Sequence, residues 1–288
     1  MQIFSSSLLG IDVSENSIQL LALDKNRAIN LCARFPFKAN HGDEVANIIV
    51  VLKNAIDELK ITIKRAALSL SYSAIIHKTV SLPCALDERA LENFLMLNLE
   101  KYVGISVDQV SFDYCRTVEN VINLIAVRKE RIAKCLAIFK AVKLKPMCID
   151  IDAFALVRAI HFLYAPTDPL VVINVDYGNV LTCVMDQRNL LHVHKDFIDD
   201  QELSDNLAQH IAHDWQICLA SYHPTHLILS GAHLINKNLN ELNLSVNRPV
   251  TIANPMKRDA VHLVSAAAEL APAMVIALGL ALRRFDGY

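Results

Sequence analysis

A duplicated α/β fold is the class this sequence predicts, on three observations. A strand–turn–strand stretch at 8–23, "LLGIDVSENSIQLLAL", recurs in kind at 171–185 as "VVINVDYGNVLTCVM". Helical and strand periodicities alternate along the chain. The apolar share is 53% with only 7 glycines in 288 residues, enough for a large ordered core.

The elements follow in order. Leu8 to Val13 and Ile18 to Leu23 are aliphatic runs broken by "SENS", which reads as a hairpin. "INLCARF" is a third strand, residues 43–60 repeat apolar positions at helical spacing, and "RAALSLSY" is a strand. Pro83 opens a distinct segment: a helix over "LDERALENFLMLNLEKYV", a hairpin turning at Glu119 and Asn120, a helix over "ERIAKCLAIFKAVKL" and a strand at "PMCIDI". A helix then starts at Asp152, and "PTDP" at 166–169 is a linker. The second half restarts with strands "LVVINV", "VLTCVMD" and "NLLHVHKD". A helix over about 202–221, strands "THLILS" and "PVTIA", and helices from about Ala260 complete it. The run Ala271 to Leu282 is too short to span a bilayer and reads as a buried helix.

Composition narrows the function classes. A formal net charge of -2, without Lys/Arg clusters, argues against nucleic-acid binding. Seven cysteines without a C-x-x-C pair sit mostly in apolar runs, as expected of free thiols in a reducing cytosol. The N-terminus carries no basic leader with a long apolar segment, so secretion is not expected.

The two hairpin tips are the candidate site. Asp12 and Asp176, 164 residues apart, occupy matching positions, and Ser14 aligns with Gly178. A turn between core strands offers backbone N–H groups to phosphate oxygens. A carboxylate before it can hold magnesium through water, so two opposed tips would grip a nucleotide. The plain alternative is that Asp initiates turns by hydrogen-bonding locally.

The motifs "GIDVSENSIQLLAL" and "NVDYGNVLT", the latter with D-x-G-x-x-x-T spacing at Asp176, Gly178 and Thr182, resemble the actin-like ATPase superfamily. Within it the chain resembles the type IV pilus assembly PilM family, relatives of FtsA. That likeness is carried also by "KLKPMCIDIDAFALVRAI", "LILSGAHL", "ANP" at 253–255 and "PAMVIALGLALRRF". The resemblance implies an actin-like (ribonuclease H-like, duplicated) fold. Its parts would be subdomain 1A over 1–82 plus 150–165, an inserted 1C over 83–149, and a reduced domain 2 over 169–288. It implies a nucleotide site at Asp12, Ser14, Ser17, Asp176, Gly178, Asn179, Thr182 and Gly231. It also implies a cytoplasmic protein at the inner face of the inner membrane, bound there to the N-terminal tail of a PilN-like protein in a groove of 1A and 1C.

Four departures from the family pattern bear on chemistry. Ser14 and Gln19 stand where the first motif has Gly and Lys, removing a phosphate-contacting cation. Ser230, Gly231, Ala232 and His233 leave one glycine in the adenosine loop, where side chains would intrude on the base. About 55 residues separate Asp176 from Gly231, too few for the extra subdomain of the relatives. No residue is assignable as the one that orients an attacking water. Because phosphoryl transfer relies on positioning and electrostatics, little or no hydrolysis is expected. The expected role is a scaffold that binds the PilN-like tail and can self-associate with others of its own kind, with a vestigial nucleotide site, no catalytic residues and no cofactor. The alternative is a working ATPase, with ATP and Mg, whose nucleotide state regulates assembly. A third reading is the cytoplasmic domain of the type II secretion protein GspL, which normally continues into an anchor, whereas this sequence stops at Tyr288.

Other signals were weighed. Seven of 11 histidines fall between 192 and 233, which raises zinc; without H-E-x-x-H or a Cys pair, solvated or capping histidines are expected instead. Ser5 to Ser7 lack a G-x-S-x-G elbow. The helix Asp87 to Val103 carries more apolar residues than one stripe needs. Either it packs on two sides, or Met96, Leu99 and Val103 line the groove for the PilN-like tail.

Overall fold

The computed structural model describes residues 7–37, 43–118, 120–242, 244–258 and 269–286. The chain divides into two compact units, Met1–Leu70 with Ile138–Tyr288, and Ser71–Ala137.

The larger unit contains two five-stranded sheets. The first is built from β1 (Leu9–Val13), β2 (Ser17–Leu23), β3 (Ile29–Pro36) and β4 (Arg65–Leu70), with α1 (Glu44–Glu58) between β3 and β4. β5 (Ile75–Ser81), α2 (Glu88–Val103), β6 (Val110–Val118) and β7 (Val121–Arg128) follow; α3 (Lys129–Ala141) then leads to β8 (Lys145–Ile151). β8 joins the first sheet, whose order is β3-β2-β1-β4-β8. Next come α4 (Asp152–Tyr164), β9 (Leu170–Asp176), β10 (Asn179–Asp186), β11 (Asn189–Phe197), α5 (Asp200–Tyr222) and β12 (His226–Ser230). After α6 (Leu239–Leu242), β13 (Val250–Ile252) completes the second sheet, ordered β11-β10-β9-β12-β13; α7 (Val275–Leu282) is the last α-helix among the described residues.

The two sheets repeat one plan. Each opens with an antiparallel hairpin, β1–β2 or β9–β10, extends it outward by β3 or β11, and adds a parallel strand, β4 or β12, on the inner side. α4 touches β4 and β8 of the first sheet and β10 and β11 of the second, so it lies between the sheets. α7, buried along its whole length, packs on both β1 and α4. Two glycines permit this: a Cβ on Gly10 would lie 2.2 Å from the Ala277 carbonyl oxygen, and one on Gly279 would lie 1.8 Å from that of Ala155. On the opposite face of the second sheet, α5 places Leu203, Leu207, Ile211 and Trp215 against Val171, Val175, Val180 and Leu229, the alternate inward residues of their strands.

The smaller unit is a three-stranded sheet, β5-β7-β6, carrying α2. Leu91, Leu95, Leu99 and Val103, spaced four apart, form a single stripe packed with Val80, Val110, Ile122 and Leu124. Leu99 and Val103 are therefore core residues, and the expectation that they line a peptide groove is corrected. Met96 and Leu97 face away from that core, 52% and 87% exposed.

Two boundary expectations also change. The insert expected over 83–149 differs from the compact unit because β5, not anticipated, is an edge strand of the small sheet. "PMCIDI", placed in the insert, instead pairs as β8 with β4 in the larger unit. The helices expected from about Ala260 begin outside the described residues.

Candidate functional site

The first hairpin carries Asp12 at its tip, in register with Gln19 on β2, which is in turn in register with Arg34 on β3. In-register residues of antiparallel strands share a face, so Asp12, Gln19 and Arg34 form one row across the sheet. On the second sheet the same logic groups Asp176 with Asn179, and Ser230 with Asn174, Leu181 and Lys195.

These two rows approach one another. Asp12 is buried, and its carboxyl is pushed up to about 7, first by desolvation and then by the charge of Asp176. Asp152, the first residue of α4, adds to the rise; a hydrogen bond from Ser69 and the charge of Lys195 oppose it. The Ser69 oxygen also accepts from Val13 N–H at 3.0 Å, which ties the tip of β1 to β4. The charges of Asp176, Asp152 and Lys195 thus all act on the Asp12 carboxyl.

Lys195 Nζ donates to Asp152 Oδ2 at 2.8 Å, with both side chains largely buried. Asp152 Oδ1 accepts from Ala153 N–H at 2.7 Å. Asp176 is held by two donors, Ala232 N–H at 2.7 Å and Asn174 Nδ2 at 3.1 Å; Ser230 Oγ donates to Asn174 Oδ1 at 2.9 Å. That chain fastens the second tip to the loop after β12. A further link joins the two tips: the Arg34 guanidinium lies over the Tyr177 ring, 5.7 Å from its centroid, and Tyr177 meets the edge of His233 at 5.9 Å.

The sequence-predicted residues divide accordingly. Asp12 and Asp176 come together, and Gly231 adjoins them through its neighbour Ala232. Gly178 sits in the second turn at φ +71, where its Cβ position lies 3.3 Å from the Phe197 ring. The others turn elsewhere. Ser17 is fully buried and its hydroxyl accepts from Gln19 Nε2 at 2.9 Å; Ser14 donates its N–H to Ser17 O and its hydroxyl lies 3.0 Å from Ser17 Oγ. Asn179 Nδ2 donates back to Tyr177 O at 3.4 Å. Thr182 is the clearest correction: it pairs with Ile173 on the α5 face of the sheet and donates to Asp214 of that helix, because strand alternation puts it opposite to Asp176. Gln19, at the expected cation position, is fully buried, and among the described residues its Oε1 has no hydrogen-bond partner.

Sequence reading missed Asp152, Lys195, Arg34, Ser69 and Asn174. Asp152 lay inside the "CIDIDAFALV" block that carried the family resemblance, which was its only local signal. The histidines scatter: His192 stacks on Tyr222, His194 pairs with Asp196 at 2.8 Å, and His210 stands 4.0 Å from Glu202. Among the described residues no group of three or more His, Cys, Asp or Glu is placed to hold a metal ion. No helix of the described residues is long and apolar enough to cross a membrane.

Solved structures with this fold include a PilM–PilN type IV pilus biogenesis complex, at 17% identity and a TM-score of 0.80 over 97% of this chain and 99% of that one. The cytoplasmic domain of EpsL, an inner-membrane component of the type II secretion system of Vibrio cholerae, matches at 16% identity and a TM-score of 0.53 over 84% and 87%. A Bacteroides thetaiotaomicron protein with an actin-like ATPase fold and unknown function matches at 15% and 0.53 over 91% and 98%. These likenesses establish the actin-like fold. The model of the type IV pilus assembly protein PilM family matches residues 10–184, well over half of the sequence and including both hairpin tips. The chain therefore belongs to the type IV pilus assembly protein PilM family.

Proposed function

We propose that this PilM-family protein is a non-hydrolysing adaptor of type IV pilus biogenesis that binds the N-terminal tail of a PilN-like inner-membrane protein. The observation that carries the reading is that the groups around the two tips are committed to one another. Lys195 already neutralises Asp152, the Ser14 and Ser17 groups close their own turn, and Gln19 supplies no cation. Asp12, its carboxyl pushed up to about 7 by burial and by the charge of Asp176, is less ready to ionise than an ordinary carboxylate and so a weaker ligand for the water shell of magnesium. In this arrangement the residues do not fit a magnesium triphosphate, and no hydrolytic step is drawn through them. The PilN-like partner is supported by family membership and by the whole-length likeness to the PilM–PilN complex.

The test is titration calorimetry with a synthetic N-terminal tail of a PilN-like inner-membrane protein from the same organism. Binding in the micromolar range is expected without nucleotide. Absence of heat and of co-purification, for the tail and for the full partner, would sink the reading.

A second reading is favoured by one observation, the close approach of Asp12 and Asp176 at the tips of twin hairpins. It makes the protein an ATP-binding switch. Magnesium and ATP in the same calorimeter separate the two: micromolar nucleotide binding supports the switch, and silence supports the adaptor.

A further inference from the structure

The cleft between the hairpins is spanned by two contacts of reciprocal construction. In one, Lys195 of β11, on the second sheet, reaches Asp152, which directly follows β8 of the first sheet. In the other, Arg34 of β3, on the first sheet, reaches over Tyr177 at the tip of the second hairpin. Each half thus contributes one cation and one acceptor to the other. Neither cation stands at position 19, where the family resemblance puts one, but Arg34 is in register with Gln19 and so occupies the next place in the same row.

From this geometry we infer that Lys195–Asp152 and Arg34–Tyr177 form a built-in clasp, which bridges the two hairpin-bearing sheets in the manner of a bound ligand and holds the cleft shut without one. The physical case rests on where the charges sit. The Lys195 ammonium is largely buried, and its desolvation cost is offset by the Asp152 bond, so loss of the pair is felt locally and strongly. Arg34 and Tyr177 are both half-buried, and partial desolvation strengthens a cation–π contact. The Asp176–Asn174–Ser230 chain and the Gly231 crossing lie wholly within the second sheet and its loops, so they keep the second tip rigid whether or not the clasp is closed. The two contacts can therefore open without dismantling either sheet.

This inference deepens the reading of the cleft as non-hydrolysing, and it is tested without nucleotide or peptide, so either can fail alone. The experiment is amide hydrogen exchange on the full chain. Lys195→Met, Arg34→Gln and the double variant are compared with the charge-preserving Lys195→Arg. The double variant is expected to exchange at least about tenfold faster at residues 10–19 and 174–182, with the 88–103 helix unchanged. Each single variant should show a smaller rise, and Lys195→Arg should stay close to the parent. Unchanged exchange at both tips would overturn the clasp. A rise spread evenly over the whole chain in Lys195→Met but absent from Lys195→Arg would overturn it equally, because the pair would then be ordinary core structure.

Discussion

Gly231 crosses the backbone of Val175 so closely that a Cβ would lie 2.1 Å from the Val175 carbonyl oxygen. The residue also has φ +108 and donates its N–H to Pro272 O at 2.7 Å. The glycine is thus explained by strand-to-loop packing that brings Ala232 N–H onto Asp176, rather than by approach to a base. Gly231→Ala is expected to lose about 3 kcal/mol or more in urea unfolding, since backbone cannot yield as a side chain can. Gly104→Ala is the control: φ is +69 but no atom lies within 4 Å, so only the left-handed strain of about 1 kcal/mol is expected. Equal losses at the two positions would contradict the crossing as the cause.

Thr182 offers a second separation of motif from chemistry. Its hydroxyl donates to the buried Asp214 of α5, with Val180 and Val184 on the same face. Thr182→Val keeps the shape and removes the donor, which leaves a buried carboxylate short of a partner at a cost of about 1–3 kcal/mol. Thr182→Ser should recover most of that. The measurement is a thermal melt, and the double variant Thr182→Val with Asp214→Leu should be less destabilised than the first alone. A Thr182→Val melt unchanged from the parent would refute the assignment.

How much of this was legible in the sequence follows from the range of each interaction. The twin hairpins are readable because strand alternation and turn residues are local, and their duplication aligns Asp12 with Asp176 in the sequence itself. β5 is hidden because His77, Lys78 and Thr79 separate the apolar pair Ile75–Ile76 from Val80, so no apolar run marks "IIHKTVS". β8 is legible as a strand, but its place in the larger unit is not, since a strand's sequence does not name its neighbour in a parallel sheet. The α2 residues were misassigned for a related reason: an excess of apolar side chains does not say which stripe is inside. The i+4 series 91, 95, 99 and 103 was the signal, and it turns Met96 outward. The Lys195–Asp152 and Arg34–Tyr177 contacts join residues far apart in the chain, and no periodicity encodes them.

Arg158 of α4 gathers the end of the described chain. Its Nη1 lies 2.8 Å from Asp150 Oδ2 and 3.1 Å from Gly279 O, and its Nε lies 2.8 Å from Asp286 Oδ2; Arg283 Nε stands 3.3 Å from Asp150 Oδ2. Asp150 is buried, so removing its closest cation leaves a carboxylate that solvent cannot reach. Arg158→Met is expected to cost about 3–5 kcal/mol in urea unfolding. Arg158→Lys should restore less than half, because one ammonium cannot serve two carboxylates and a carbonyl in the fork geometry of a guanidinium. A cost below about 1 kcal/mol for Arg158→Met would show that Arg283 alone satisfies Asp150.

Asp12 gives the last prediction, and its sign is fixed by the direction of its shift. The carboxyl titrates at about 7 in the folded protein against an ordinary 3.8, because burial and the charges of Asp176 and Asp152 outweigh Ser69 and Lys195. Well below pH 3.8 the group is protonated folded or unfolded and costs nothing. As the pH rises from there, the unfolded chain ionises while the folded one holds its proton, so stability falls until about pH 7 and is level above it. The span corresponds to about 4 kcal/mol at most. Asp12→Asn removes the titration, so the variant should lie close to the parent at pH 4 and exceed it by up to that amount at pH 8. Urea unfolding of both proteins in half-unit steps from pH 4 to pH 8 reads the difference directly. A difference that stays flat across the series, or that favours the parent at pH 8, would mean that Asp12 is ionised in the fold. The carboxylate row would then be open to a cation after all.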